Sequence, residues 1–494
     1  MEDIHPNILF LMSDEHRADV AGYAGNPVVH TPVLDLLAAG GVVFRNAYTP
    51  SPTCIPARQC IAAGQLPRTC KVETYGEDLP PFSMTFAKRL SQFGYATVCA
   101  GKMHHDGPDQ MQGWTTRIGS DMNVAPRYIE GCDTESYKMF RHPSSYRRCD
   151  DAGEVSRAGV GHGRYTHDRD AHALSGTLRF IEHHFTDVFA DKASPTQPLL
   201  LKVSFQRPHL PYLTTEEKIT YYLNRVSPWL EEAPFEHHAL NRERVVVGKD
   251  VTTRDVQKAT AAYYGMVEEI DTDYGEVLKH LALVGQDIDD WWVVFTADHG
   301  SMLGEHGVWS KGKFYEGSVR VPLLIRPPKS IRERWGISST NTRYVDQNVN
   351  LCDLYATICE AAGVAFPETA STVQGAGLDS RSLVPLMSTD DAYVSWDDES
   401  VSQYRGEEIM IKRGNLKYQF YENAPVPEMA EVLFDLDVDP CESRNYIDSP
   451  QYASAIEVFR ARCAKLGFGS NVDPGYVNAG YDELESSLPG AHSL

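Results

Sequence analysis

Four short apolar runs, each cut off by charged or imidazole side chains, restrict what this chain can fold into more than any other feature. Asn7–Met12 (NILFLM) runs into Ser13-Asp14-Glu15-His16, and Tyr95–Gly101 (YATVCAG) into Lys102-Met103-His104-His105. Leu199–Phe205 (LLLKVSF) is followed by Gln206-Arg207-Pro208-His209, and the run from Trp291 ends at Asp298-His299-Gly300. Continuous apolar runs of this length are strands buried on both faces. Polar residues at their C-terminal ends are where open α/β sheets bind ligands. Helical stretches alternate with them: Thr31–Gly40, with Thr31 as cap and Pro32 at the first position, then Ser83–Gly94, Val256–Gly285 and Leu351–Gly363. The expected fold is α/β, a large, mixed, mostly parallel sheet flanked by helices, with a smaller C-terminal α+β subdomain.

The 494 residues allow a catalytic domain over 1–366, a subdomain over 367–470 and a tail from 471 to 494 that is either disordered or an oligomer arm. The subdomain is signalled by strands on either side of Arg413-Gly414-Asn415, a hairpin turn. Residues 113–164 lack clear periodicity and read as a long insertion over the rim. A net charge of −22 argues against nucleic acid as a partner. No apolar run is long enough to span a membrane, the start reads as a first strand and not a signal peptide, and the ten cysteines form no dense disulfide framework. The expectation is a cytoplasmic protein, with homo-oligomerisation left open.

Within Ser51–Arg68, Pro56 suits the first turn of a helix that Gly64 ends, which sets Cys54 at the helix N-terminus, a favourable place for an anion. Arg58 follows one turn later on the same face. A lone cysteine is more often a small buried hydrophobe, so the reading rests on its companions. Asp14, Cys54, Lys102, His104, His209, Asp298, His299 and Lys311 are expected on one edge of the sheet. Asp14 and the Asp298-His299 pair could grip a divalent cation. Lys102, Lys311 and Arg58 would neutralise a tetrahedral anion, and His104 and His209 could move protons.

At this point the sequence resembles the type I, formylglycine-dependent sulfatases of the alkaline phosphatase superfamily. The resemblance is carried by SDEHRAD, CIPAR, GKMHHDGPDQ, RPHLPY, ADHGSMLGEHG, KGKFYEGSVRVP and LFDLDVDPCESRN, and within the family GKMHHDGPDQMQGW is most like choline sulfatases. It implies that a formylglycine-generating enzyme oxidises Cys54, whose hydrate attacks sulfur. It implies that His209 with Lys311 protonates the departing alcohol, and that His104 takes a proton from the second hydroxyl as sulfate leaves. Lys102 and Arg58 hold the charge. Asp14, Glu15, the modified Cys54, Asp298 and His299 would hold one metal, with Ca²⁺ the first expectation and Mn²⁺ or Mg²⁺ the alternatives. Glu15 and His299 depart from the Asp and Asn common in the family, which makes Glu15 the least secure ligand. Arg207 and His105 are candidate substrate contacts. Carbohydrate, choline and other alkyl sulfates are all open as the small-molecule ester. The competing readings are a phosphonate monoester or phosphodiester hydrolase, and a binding protein that keeps Cys54 as a thiol.

Overall fold

The computed structural model describes residues 5–81, 83–119, 121, 150–193, 195–230, 236–365, 377–388 and 395–469. The central sheet has nine strands: β1 (Ile8–Ser13), β2 (Val42–Tyr48), β3 (Ala96–Gly101), β4 (Thr116–Ile118), β5 (Leu199–Ser204), β6 (Trp292–Ala297), β7 (Arg320–Val321), β8 (Leu323–Arg326) and β9 (Arg343–Asn350). The four apolar runs are adjacent, as β6-β1-β5-β3, and with β4 they make a parallel block. Their C-terminal ends therefore share one edge. β8 joins β6 antiparallel and passes the sheet on to β2, which has β9 as a parallel neighbour. β7 pairs antiparallel with the C-terminal end of β2.

Every residue of β1, β5 and β6 is buried, and the period-2 alternation sends their side chains into two layers. Ile8, Phe10 and Met12 pack with Phe86, Leu90, Tyr355 and Ile358 on one face. Leu9 and Leu11 pack with Ile181, Ile270, Tyr274 and Val277 on the other. Each such side chain contributes about 1.5–3 kcal/mol when fully buried. Helix Thr253–Leu283 matches its expected span and opens with a capping box between Thr252 and Asp255.

One local expectation is corrected. Thr31 precedes helix Pro32–Ala38 without capping it, because its hydroxyl accepts from the Gly22 N–H and donates to Asp35. Helix His167–Phe185 has no counterpart in the sequence reading, although its buried Ala173, Thr177, Ile181 and Phe185 lie four residues apart. Parts of the 113–164 stretch are ordered as β4 and helix Asp151–Arg157. The core of the expected insertion, the start of the linker after Pro367 and the 471–494 tail lie outside the described residues.

Strands β10 (Glu399–Tyr404), β11 (Glu408–Arg413), β12 (Leu416–Tyr421) and β13 (Glu431–Asp435) form an antiparallel meander. The β11–β12 turn is at Gly414 (φ 52°), where the sequence sets it. This sheet is more than an appendage. Ile409, Ile411 and Tyr418 pack against Ile55 and Cys60 of the helix that begins at Cys54. Its polar edge holds the segment after Lys311: Lys417 Nζ lies 3.0 Å from Glu316 Oε1 and also pairs with Glu442, and Glu442 Oε2 accepts the Glu316 N–H at 2.7 Å. Among the described residues no helix is long and apolar enough to cross a membrane.

Candidate active site

Cys54 is the first residue of helix Cys54–Ala63, Pro56 lies in its first turn, and Gly64 (φ 66°) ends it by donating to Cys60 O. The thiol is buried, with Lys311 Nζ 3.9 Å away. Burial alone would push its pKa up, but Lys311 and then Lys102 hold it below the ordinary thiol value. Arg58, one turn along the helix, is committed to protein groups. Its Nε donates to Asp298 Oδ2 at 2.7 Å, and Nη1 donates to Lys102 O at 2.7 Å and to Ser204 Oγ at 2.9 Å. Arg58 thus fastens the Cys54 helix to the ends of β6, β3 and β5, while its Nη2 is buried without a partner.

Asp14, Asp298 and His299 each offer a ligand atom, and these atoms all lie within 4.8 Å of one another. The His299 Nδ1–H donates to Gly300 O at 2.9 Å, so Nε2 turns towards Asp14 Oδ1 at 3.7 Å and Asp298 Oδ1 at 3.8 Å. Asp14 Oδ1 and His299 Nε2 are buried with no hydrogen-bond partner, an expensive arrangement unless a cation satisfies both. Burial lowers the imidazole pKa and Asp298 raises it, with a net rise. The field that draws a proton to Nε2 equally favours a metal ion. Asp14 has Lys102 Nζ as its ion-pair partner, and against its burial Lys102, with Lys311 and Arg58, keeps the carboxyl well below the usual range.

Glu15 stands beside this trio and not in it. Its Oε1 is 2.6 Å from Lys311 Nζ, an ion pair without hydrogen-bond alignment, and 3.5 Å from His209 Nε2. Burial opposes ionisation, but the positive charge of Lys311 brings its pKa to about 2. Its left-handed backbone (φ 62°) is held by Tyr263 of the long helix, whose hydroxyl donates to Glu15 O at 2.5 Å and accepts the Arg17 N–H at 2.9 Å.

The His209 Nδ1–H donates to Leu210 O at 2.6 Å; burial and then Lys311 lower its pKa to about 3. His104 is pushed well below the ordinary value by burial, Lys102 and Arg58, and its Nδ1 is buried and unpartnered. His105 is a neighbour of Gln59, whose Nε2 donates to its Nδ1 at 3.1 Å. It is buried, and burial and then Arg117 push its pKa well below the ordinary imidazole value. Arg207, expected as a substrate contact, is committed to protein groups instead. Its Nε donates to Asp170 at 2.8 Å, Nη1 to Glu269 at 3.0 Å, and Nη2 pairs with Asp273, so three carboxylates hold the guanidinium. Lys311 also departs from the expected pattern. It follows the short Trp309–Ser310 strand, which belongs to a separate two-stranded sheet, and not a strand of the main one.

Sequence reasoning missed several supporting groups. Tyr165 packs its ring 5.6 Å from that of His209, and Lys102, Asp14 and Cys54 all act on its hydroxyl. Ser204 and Gln59 each had a usable signal, as the last residue of a buried strand and the residue after Arg58. Tyr165 had none.

The family model described as Sulfatase matches residues 6–364, and one described as N-sulphoglucosamine sulphohydrolase, C-terminal, matches residues 304–467. A choline-sulfatase of Rhizobium meliloti is 30% identical over 90% of this chain and 83% of its own. An arylsulfatase of Clostridium perfringens is 27% identical over 92% of this chain and 93% of its own. The phosphonate monoester hydrolase of Agrobacterium radiobacter superposes with a TM-score of 0.70 at 22% identity, covering 93% of this chain and 95% of that one. A protein solved with its substrate D-glucosamine-2-N,6-O-disulfate gives 0.67 at 19%, covering 94% and 97%. The solved structures share the alkaline phosphatase-like fold, and the curated relatives share the sequence along nearly the whole chain. This chain therefore belongs to the sulfatase family and is a sulfuric ester hydrolase.

Proposed function

We propose that the chain hydrolyses a small sulfate ester at Cys54, after oxidation of that residue to formylglycine by a formylglycine-generating enzyme. The observation that carries the reading is the meeting of Cys54, Lys311 and the Asp14–Asp298–His299 trio in one buried site. When hydrated, the aldehyde supplies a nucleophilic hydroxyl and a second hydroxyl through which sulfate is released. Asp14, Asp298 and His299 would hold one divalent ion, Ca²⁺ in the first instance with Mn²⁺ or Mg²⁺ as alternatives. That ion supplies Lewis-acid polarisation of a sulfate oxygen. Glu15 is assigned a different task, holding Lys311.

Lys102 faces the sulfate as a fixed positive charge. Because His209 is kept neutral with its Nδ1–H on Leu210 O, Lys311 is the proton-bearing member of the pair that serves the departing alcohol. Glu15 Oε1, 2.6 Å from Lys311 Nζ, orients that lysine. His104 Nδ1, buried and unpartnered, takes the proton in the second half of the reaction. Arg58 acts through Asp298. The eight described cysteines are all free, which supports a reducing, cytoplasmic setting.

Peptide mass spectrometry of the Cys54 segment tests the reading. Protein co-expressed with the maturation enzyme should carry the aldehyde in proportion to its activity, and a fully active preparation with an intact thiol would end the proposal. Phosphonate or phosphodiester hydrolysis is the second reading, favoured by the imidazole of His299 in the metal-binding trio and by the superposition on a phosphonate monoester hydrolase.

A further inference from the structure

The turn that carries His104 is held in a shape its own residues do not favour. His104 has φ 54°, a left-handed conformation uncommon outside glycine that persists only where the surroundings impose it. Two buried side chains do so from opposite sides. Asp121 Oδ2 accepts the Met103 N–H at 2.7 Å and the His104 N–H at 2.5 Å, while Arg117 pairs with Oδ1. Gln59 Nε2 donates to His104 O at 2.6 Å and to His105 Nδ1 at 3.1 Å. Both main-chain polar groups of His104 are thus satisfied by side chains and not by helix or sheet. Gln59 follows Arg58 on the helix that begins at Cys54, so the helix bearing Cys54 and the turn bearing His104 are fastened to each other. The Asp121 carboxyl, which burial would raise, is kept below its ordinary value by Arg117 and the two N–H donors, so it accepts these bonds as an anion.

We propose that Gln59 and Asp121 are positioning residues that, by fixing both main-chain groups of His104, aim its imidazole at the reacting group on residue 54. This rests on the role given to His104 above. Neither side chain carries a proton in the reaction; each acts through the turn. Misplacing a catalytic group by an ångström is enough to lose about a hundredfold in rate.

The test compares Gln59→Met, Asp121→Ala, Asp121→Asn and His104→Ala, all matured, with separate measurement of alcohol and sulfate release. Gln59→Met and Asp121→Ala should each lower kcat by about ten- to a hundredfold. The first turnover of alcohol and kcat/KM, which report the step before His104 acts, should stay within about threefold of wild type. Asp121→Asn, which keeps an acceptor for both N–H groups, should recover part of the loss. Hydrogen exchange on the Cys54→Ala background should speed up at Met103 and His104 when Asp121 is also Ala, a readout independent of turnover. If both variants keep wild-type kcat while His104→Ala loses it, the positioning role is wrong and the His104 role stands. A matched fall of kcat, kcat/KM and first-turnover amplitude means lost folded enzyme and overturns the positioning role too. If His104→Ala itself turns over like wild type, the underlying reading of His104 fails.

Discussion

Replacing Arg207 by Met should unfold the protein more easily without weakening its hold on substrate. The guanidinium is nearly buried between Asp170, Glu269 and Asp273, whose side chains are 1%, 12% and 21% exposed. Removing the cation leaves three carboxylates facing one another. Breaking a buried ion pair from one side costs about 3–5 kcal/mol, and the partial exposure of Asp273 argues for the lower half of that range. The cost should depend on pH. Burial raises Asp170 and Asp273 above the ordinary carboxylate value even with Arg207 lowering them, so without Arg207 they rise further. A folded-state pKa raised above the unfolded one contributes stability at low pH that is lost as pH rises through the folded value. Arg207→Met should therefore be less destabilising at about pH 5 than at about pH 8. Urea unfolding followed by tryptophan fluorescence measures the first effect, and KM in the folded range measures the second. A variant with stability within about 0.5 kcal/mol of wild type and a KM raised tenfold or more would refute this reasoning and return Arg207 to the substrate.

The segment after Lys311 should depend on the C-terminal sheet. Lys417→Met leaves Glu316 and Glu442 buried together and should cost about 3–5 kcal/mol, with a lower kcat even where the protein remains folded; unchanged kcat and stability would separate the sheet from the site. Burial holds His237 and His306 at about 4, below the ordinary imidazole value, so stability should fall as pH drops from about 6.5 towards 4, where the unfolded chain binds protons that the folded one refuses. His306→Phe, which keeps the 4.1 Å stack on Tyr315, should blunt that fall in urea titrations at several pH values. A chelator should abolish turnover and lower the thermal midpoint, and a divalent ion at about a hundred times its Kd should restore about 2.7 kcal/mol. Asp298→Asn should shrink that response, whereas Glu15→Gln should leave most of it and reduce kcat instead.

The rim of the sheet was legible because strands buried on both faces carry little charge, Lys202 in β5 being the exception, so Asp14, Lys102, His209 and Asp298 stand out where the apolar runs stop. The Cys54 helix was legible from Pro56 and Gly64, residues whose backbone preferences are local. What each charge binds was not. Arg207 finds Asp170, Glu269 and Asp273 on helices 37 to 66 residues away, and nothing in the residues around Arg207 indicates that pairing. Glu15 and His104 take left-handed backbones without being glycine, so the turns they make could not be foreseen. Helix His167–Phe185 hid behind its histidines and acids, which cover the solvent side of a regular apolar stripe. The C-terminal sheet was visible as strands, but its hold on Glu316 depends on side-chain geometry that the alternating pattern does not encode.

Turnover of matched sulfate, phosphodiester and phosphonate esters of one alcohol, by matured enzyme with Cys54→Ala as the blank, tests the central claim most directly. Sulfate release should dominate and the blank should be inactive. Faster turnover of either phosphorus ester, or a blank that still hydrolyses sulfate, would contradict the account.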